Sequence, residues 1–324
     1  MSRDPSSVIR SADAAEARGS RITDHGSLLF ASPTLAWFFV AVWGSGYLAT
    51  KVGLHYAPPF TFLTLRFAFG LLVLLPLLLL WQRREPLRWP NSPAAWGHVI
   101  VAGLLMHAVN LGGSHYAQYL GMSAGVAALV LATQPLVTAV VAVGWLGERL
   151  RRPQWIGVVL GLLGVLLVVW HKIDLRLLSW PAVAAVTIAL AAITTGTLYQ
   201  RHFCPTVDLR AAAPVQFAAT LVALAPLALA VEGFPVRWSW ALAGAIAFLV
   251  ILASIFAVNA LHTLMRRGEA TRVTSLLYLT PIFAVALEWL LFAVTPSALT
   301  ALGIAIACAG VALVAWRPRA ERAR

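Results

Sequence analysis

Glu288 is the only carboxylate set well inside an apolar run of this chain. A charge at the centre of a bilayer costs about 2.5–3.5 kcal/mol on insertion scales, so such a residue needs a reason. Two reasons fit its chemistry. Glu288 carries a proton or holds a ligand ammonium, or it is half of a structural ion pair with Arg66 or Lys51. Arg66, in the second apolar run, is read either as a contact for a ligand carboxylate or as a helix anchor. His107, Asn110 and Ser114 stand at i, i+3 and i+7 and share one helical face. Exposing that face to lipid is costly, so it is expected to point inward, towards a cavity or an interhelical hydrogen bond. Asn259 is the expected counterpart later in the chain. His98, His115 and His262 lie nearer the ends of their runs and are read as interfacial.

Trp43, Tyr47 and Lys51 stand at i, i+4 and i+8, which sets two aromatic rings below a cation on one face. Such a wall buries an apolar ligand side chain and offers a partner to a carboxylate; ordinary packing beneath an interfacial lysine is the competing account. Gly44, Ser45 and Gly46 permit close approach of a backbone or a ligand. Pro135 and Pro281 fall in the middle of their runs, where each removes a backbone donor. They are expected to act as paired hinges, flanked by Gln134 and Thr280, or as purely structural kinks. Thr274, Tyr278, Pro281, Val285 and Glu288 follow one face, which adds Tyr278 to the candidate site.

The elements that must hold these residues follow from composition. Of 324 residues, 60% are hydrophobic and 11% charged, with a mean hydropathy of +0.82. Soluble domains carry about 25% charged residues, so an ordinary water-soluble protein is excluded. Continuous apolar runs disfavour strands and give an all-α polytopic membrane protein. Its ten predicted helices span roughly 34–54, 59–81, 95–117, 123–146, 154–170, 181–200, 210–231, 239–263, 271–293 and 297–316. Residues 1–33 read as a polar, mobile tail. The first run is too long for a signal peptide and lacks a small-residue cleavage site, so it is expected to stay in the membrane. The net charge of +12 sits in short loops and tails, which argues for membrane orientation rather than nucleic-acid binding. Cys204 and Cys308 show no CxxC spacing, and neither a metal nor a cofactor is expected.

With the N-terminus in the cytoplasm, eighteen of the 24 lysines and arginines fall in inside segments. Only Lys172, Arg176 and Arg237 fall in outside loops. Both ends are therefore expected to be cytoplasmic. The halves also echo each other. Pro135 and Pro281, Gly157 and Gly303, Gly164 and Gly310, and Trp170 and Trp316 are each 146 positions apart. Gly46 and Gly196, Lys51 and Arg201, Phe67 and Phe217, and Pro76 and Pro226 are each 150 apart. A five-span unit is odd, so its second copy enters the membrane upside down. Inverted repeats of this kind build alternating-access carriers. The expected organisation is a repeat over 34–170, a linking loop over 171–180, an inverted repeat over 181–316 and a C-terminal tail over 317–324. Glycine stripes in the fifth and tenth runs (Gly157, Gly161, Gly164; Gly303, Ala307, Gly310) predict close helix packing, within the chain or in a homodimer.

Trp43-Gly44-Ser45-Gly46-Tyr47, Lys51, Pro58-Pro59, Leu65-Arg66-Phe67, Gln134-Pro135-Leu136 and Gly147-Glu148-Arg149 together resemble the EamA-type transporters of the drug/metabolite superfamily, over roughly 34–316. The second half departs from the pattern, with Ala293-Val294 where Gly147-Glu148 stands in the first. The resemblance implies a ten-helix exporter of small metabolites in the bacterial inner membrane, most similar to the family's aromatic amino-acid exporters. It implies a central cavity lined by the first four helices of each half, with the fifth and tenth away from the path. The expected partners are a small-molecule substrate and membrane lipids, and the chain is a monomer or a homodimer. An efflux carrier for amphipathic drugs is the alternative substrate class. A lipid-acting intramembrane enzyme is the alternative of another kind, and it finds no paired acids: Glu85, Glu148, Asp208 and Glu269 are scattered.

Overall fold

The computed structural model describes residues 33–84, 86–146, 150–174, 178–257 and 279–315. Asn259, His262, Arg272, Thr274, Tyr278, Gly147-Glu148-Arg149, Trp316 and both tails lie outside the described residues. Every regular element described is helical. Among the described residues, eleven helices build ten passes: α1 Pro33–Leu54, α2 Pro59–Arg84, α3 Pro93–Tyr119, α4 Ala124–Leu131, α5 Gln134–Leu146, α6 Arg152–Asp174, α7 Trp180–Phe203, α8 Leu209–Glu232, α9 from Trp240 to Ala257, α10 Thr280–Phe292 and α11 Ala298–Ala315. Six of the passes reach crossing length and hydropathy on their described residues, and α9, α10 and α11 supply shorter apolar stretches.

Serines start five of these helices. Ser92, Ser123, Ser179, Ser239 and Ser297 each accept a hydrogen bond from a backbone N–H three residues on, which satisfies one donor the helix leaves orphaned. Both α3 and α9, the third helix of each half, widen into a π-helical stretch, over Leu104–Val109 and Phe248–Ala257.

The two halves are inverted copies. Helices α2 and α8 occupy corresponding places and pack antiparallel, with Leu63 and Leu224 at one level and Phe67 against Phe217 at the next. Helices α6 and α11 do the same along the glycine stripes. A Cβ on Gly157 would meet the Gly310 carbonyl at 2.5 Å, and one on Gly164 would meet the Gly303 carbonyl at 2.6 Å. Those two contacts exchange under the 146-residue offset, as a two-fold axis requires. The same axis turns α1 against α9 into α7 against α3, and α1 against α10 into α7 against the α4–α5 pass. The small-residue stripes are thus used within the chain.

Two expectations change. The fourth pass is not one helix with a central proline: α4 ends at Leu131, Ala132 and Thr133 turn, and α5 begins at Gln134. Pro135 and Pro281 accordingly occupy the first turns of α5 and α10, where a missing N–H costs nothing and the fixed φ favours helix entry. Nor is His115 interfacial. It is buried against the Phe62 ring, with its Nε2 3.4 Å from Thr50 Oγ1.

Candidate functional site

One face of the molecule gathers the end of α1, the α3–α4 turn, the segment before α7 and the end of α10. Between them lies a cavity of about 480 Å³. Lys51, His55, Gln118, Tyr119, Ser123 and Glu288 provide its polar lining, and Leu54, Met122, Val126 and Leu178 much of the apolar remainder. Its volume falls within the roughly 300–1,000 Å³ of small-molecule sites.

Glu288 forms the floor. Lys51 Nζ donates to its Oε1 at 2.7 Å. The backbone N–H of Ala124 donates to the same oxygen at 3.2 Å, and that of Gly125 to Oε2 at 3.0 Å. One carboxylate on α10 therefore pairs with a cation on α1 and caps α4, where its charge also suits the positive end of the helix dipole. The Glu288 side chain is 3% exposed and that of Lys51 25%, so the cavity reaches the pair from the lysine side. Lys51 also lies over the Phe292 ring, 4.4 Å from its centroid. Of the two ion-pair partners expected for Glu288, the structure chooses Lys51. Gln118, buried in the wall beside it, has an amide whose oxygen and nitrogen both lack a hydrogen-bond partner among the described residues.

Arg66 lies elsewhere, donating to Ser254 Oγ on α9 at 3.3 Å; among the described residues no carboxylate comes within salt-bridge distance of it. His107 sits between the rings of Phe67 and Phe217, with centroids at 5.7 and 5.4 Å. Its Nε2 is 3.3 Å from Gln216 Oε1, and Gln216 Nε2 donates to Gln200 Oε1 at 3.1 Å. The polar face of α3 does point inward, but here it is tied to α7 and α8. Asn110 donates to the Met106 carbonyl at 3.0 Å, while its Oδ1 has no partner among the described residues.

The aromatic face of α1 divides. Trp43 lies against the Phe39 ring, with centroids 5.2 Å apart, in a cluster that Phe248 and Leu252 also join, whereas Tyr47 joins Ala124, Ala128 and Ala284. Gly44 admits Phe283 and the Thr280 carbonyl of α10, and Gly46 admits Leu249 of α9; both close approaches are taken by helices. Gln134 donates to Thr197 Oγ1 at 3.3 Å. Of the candidates, Glu288 lines the cavity together with Lys51; Arg66 and His107 lie deeper, while Trp43 and Gln134 pack at helix contacts. Asn259 and Tyr278 are not described.

Glu232 was not anticipated. From the end of α8 its carboxylate accepts from the N–H groups of Phe60 (3.0 Å) and Thr61 (2.7 Å) and from Thr61 Oγ1 (2.7 Å). It caps α2 from the other half, as Glu288 caps α4. The available signal is a helix that opens on Pro58-Pro59 with no serine, threonine or aspartate of its own. On the same face Arg237 donates to the His55 carbonyl, and its backbone N–H donates to the Tyr56 carbonyl at 2.9 Å.

Apolar helices of crossing length among the described residues, two inverted halves and a polar-floored cavity at one face define a multi-pass membrane transporter. The EamA-like transporter family matches residues 32–170 and again 180–316. This chain belongs to that family, and it is a transporter, not an enzyme. It is 31% identical over 247 residues to the uncharacterized inner membrane transporter YedA of Escherichia coli, covering 76% of this chain and 78% of that one. It is 25% identical over 297 residues to a probable amino-acid metabolite efflux pump of Salmonella typhimurium, covering 89% and 96%. A crystal structure of 21% identity superposes with a TM-score of 0.62 over 86% of this chain and 94% of the other, which supports the fold.

Proposed function

We propose that this transporter exports small metabolites, foremost aromatic and neutral amino acids, from the cytoplasm across the bacterial inner membrane by alternating access. The observation that carries the reading is the cavity floored by the Lys51–Glu288 pair. It offers both charges of an amino-acid head group beside an apolar wall. The naming of the Salmonella relative as a probable amino-acid metabolite efflux pump supports the same class. Orientation rests on charge: Arg83, Arg88, Arg151, Arg152, Arg201 and Arg210 all flank the face opposite the cavity, which supports a cytoplasmic reading of that face. Lys51 and Glu288 are then the outer contacts of the substrate, and Arg66, His107 and Asn110 lie deeper along its route.

Counterflow tests this. Proteoliposomes preloaded with an unlabelled amino acid should transiently accumulate the labelled one, with aromatic and neutral amino acids competing. Wild-type protein that accumulates none of them would remove the reading, and competition by amphipathic cations alone would replace it with drug efflux.

A further inference from the structure

We propose that the Lys51–Glu288 pair is itself the head-group site, opened by exchange: a substrate α-carboxylate takes the Lys51 ammonium while the substrate α-ammonium takes the Glu288 carboxylate. The proposal rests on the amino-acid reading above and goes further, because it makes the zwitterion the recognised feature. Separating two charges in a low-dielectric site costs several kcal/mol per ion unless each finds a new partner. A zwitterion supplies both partners and leaves the local net charge unchanged. An amine lacking the carboxylate leaves Lys51 unpaired, and an acid lacking the ammonium leaves Glu288 without its cation.

The geometry suits an α-amino acid in particular. Nζ and Oε1 are 2.7 Å apart, and the two charged groups of the ligand are separated by a single carbon, so it bridges the pair after a small displacement. Lys51 is the partly exposed member and meets the carboxylate first. The ligand side chain is left to Leu54, Met122, Val126 and Leu178, and the unpartnered amide of Gln118 stands beside the head group. The Glu288 carboxylate also holds the N-terminus of α4, so the exchange takes place on a residue that joins helices of the two halves, with one ammonium replacing another beside the cap.

The test is counterflow of labelled L-phenylalanine, with unlabelled L-phenylalanine, phenethylamine and 3-phenylpropionate as competitors. Both single-charge compounds should compete at least 10-fold more weakly than phenylalanine in wild-type protein. In the double variant Lys51→Gln/Glu288→Gln that preference should collapse to about 2-fold. The amide introduced by Glu288→Gln keeps one acceptor oxygen for one of the two N–H groups at the start of α4 and turns its NH2 towards the other, so monodisperse elution checks the fold. A measurement that needs no variant is the thermal midpoint of the wild type: phenylalanine should raise it, and equal concentrations of the other two should not. A double variant that keeps the 10-fold preference overturns the proposal, as does a wild type stabilised equally by all three, and the export reading survives either result. Wild-type protein without amino-acid counterflow would remove both.

Discussion

Glu288 draws donors from two helices onto one carboxylate, and the two kinds of donor make separable contributions. Glu288→Ala strands the Lys51 ammonium and uncaps α4. Breaking a buried pair costs about 3–5 kcal/mol; Lys51 is partly exposed, which puts this variant at the low end. Glu288→Gln loses the charge and one of the two acceptors but keeps the other for the cap. The thermal midpoint in detergent should therefore fall in the order wild type, Glu288→Gln, Glu288→Ala; equal midpoints for the two variants would show that the cap contributes nothing. Residue type alone singled out Glu288 and narrowed its partner to Arg66 or Lys51, because a charge within an apolar run is costly enough to notice. Their third partner was invisible, since backbone N–H groups carry no sequence signature. Glu232 escaped notice for a related reason: at the end of a run an acid looks solvated, and only the uncapped start of α2 points to it.

Helices α4 and α5 show what hydropathy reads and what it misses. The run from Ala124 to Leu146 carries no charge, so it reads as a single span, and the break at Ala132 and Thr133 is marked only by the sequence Thr133-Gln134-Pro135. Thr133 Oγ1 donates to the Val130 carbonyl at 2.6 Å, and the Thr133 carbonyl accepts from the N–H groups of Leu136 and Val137, so the turn is held at both ends. A pass broken in this way bends at a defined point. Replacing Pro135 and Pro281 together by alanine favours continuous helix through these starts, and the counterflow rate should fall more than expression does. An unchanged rate would rule out the hinge. The glycine stripes behave differently. On Gly164 a Cβ would lie 2.5 Å from the Ala307 backbone nitrogen, and backbone cannot step aside as a side-chain tip can. Gly164→Ala should cost about 1–3 kcal/mol of stability while leaving the competition order of substrates intact, because α6 and α11 stand away from the cavity floor. Sequence offsets made this contact foreseeable, since glycines recurring 146 residues apart put matching stripes on two helices, which an antiparallel pairing sets against each other end to end.

At the scale of the molecule, helices sort by packing into groups that do not follow the repeats. Helices α1, α2, α9 and α10 adhere to one another, and α3, the α4–α5 pass, α7 and α8 form the group related to them by the two-fold axis. The inverted repeat was legible from matched residue offsets, yet this exchange of helices between halves was not, because offsets compare equivalent positions and say nothing about who packs against whom. Contacts between the groups run mainly through α2 with α8 and α10 with α4. Both glutamate caps sit on those seams, at the face that carries the cavity. If the two groups rock against each other, that face must part there. A Cβ on Gly125 would lie 3.3 Å from Val285 Cα, close enough for a disulfide across the α4–α10 seam. In a background with Cys204 and Cys308 replaced, Gly125→Cys/Val285→Cys should stop counterflow on oxidation and recover it on reduction, with each single variant unaffected by oxidant. Full transport by the cross-linked protein would mean that the α4–α10 seam stays shut throughout the cycle, and the moving boundary would then have to lie elsewhere in the inverted pair.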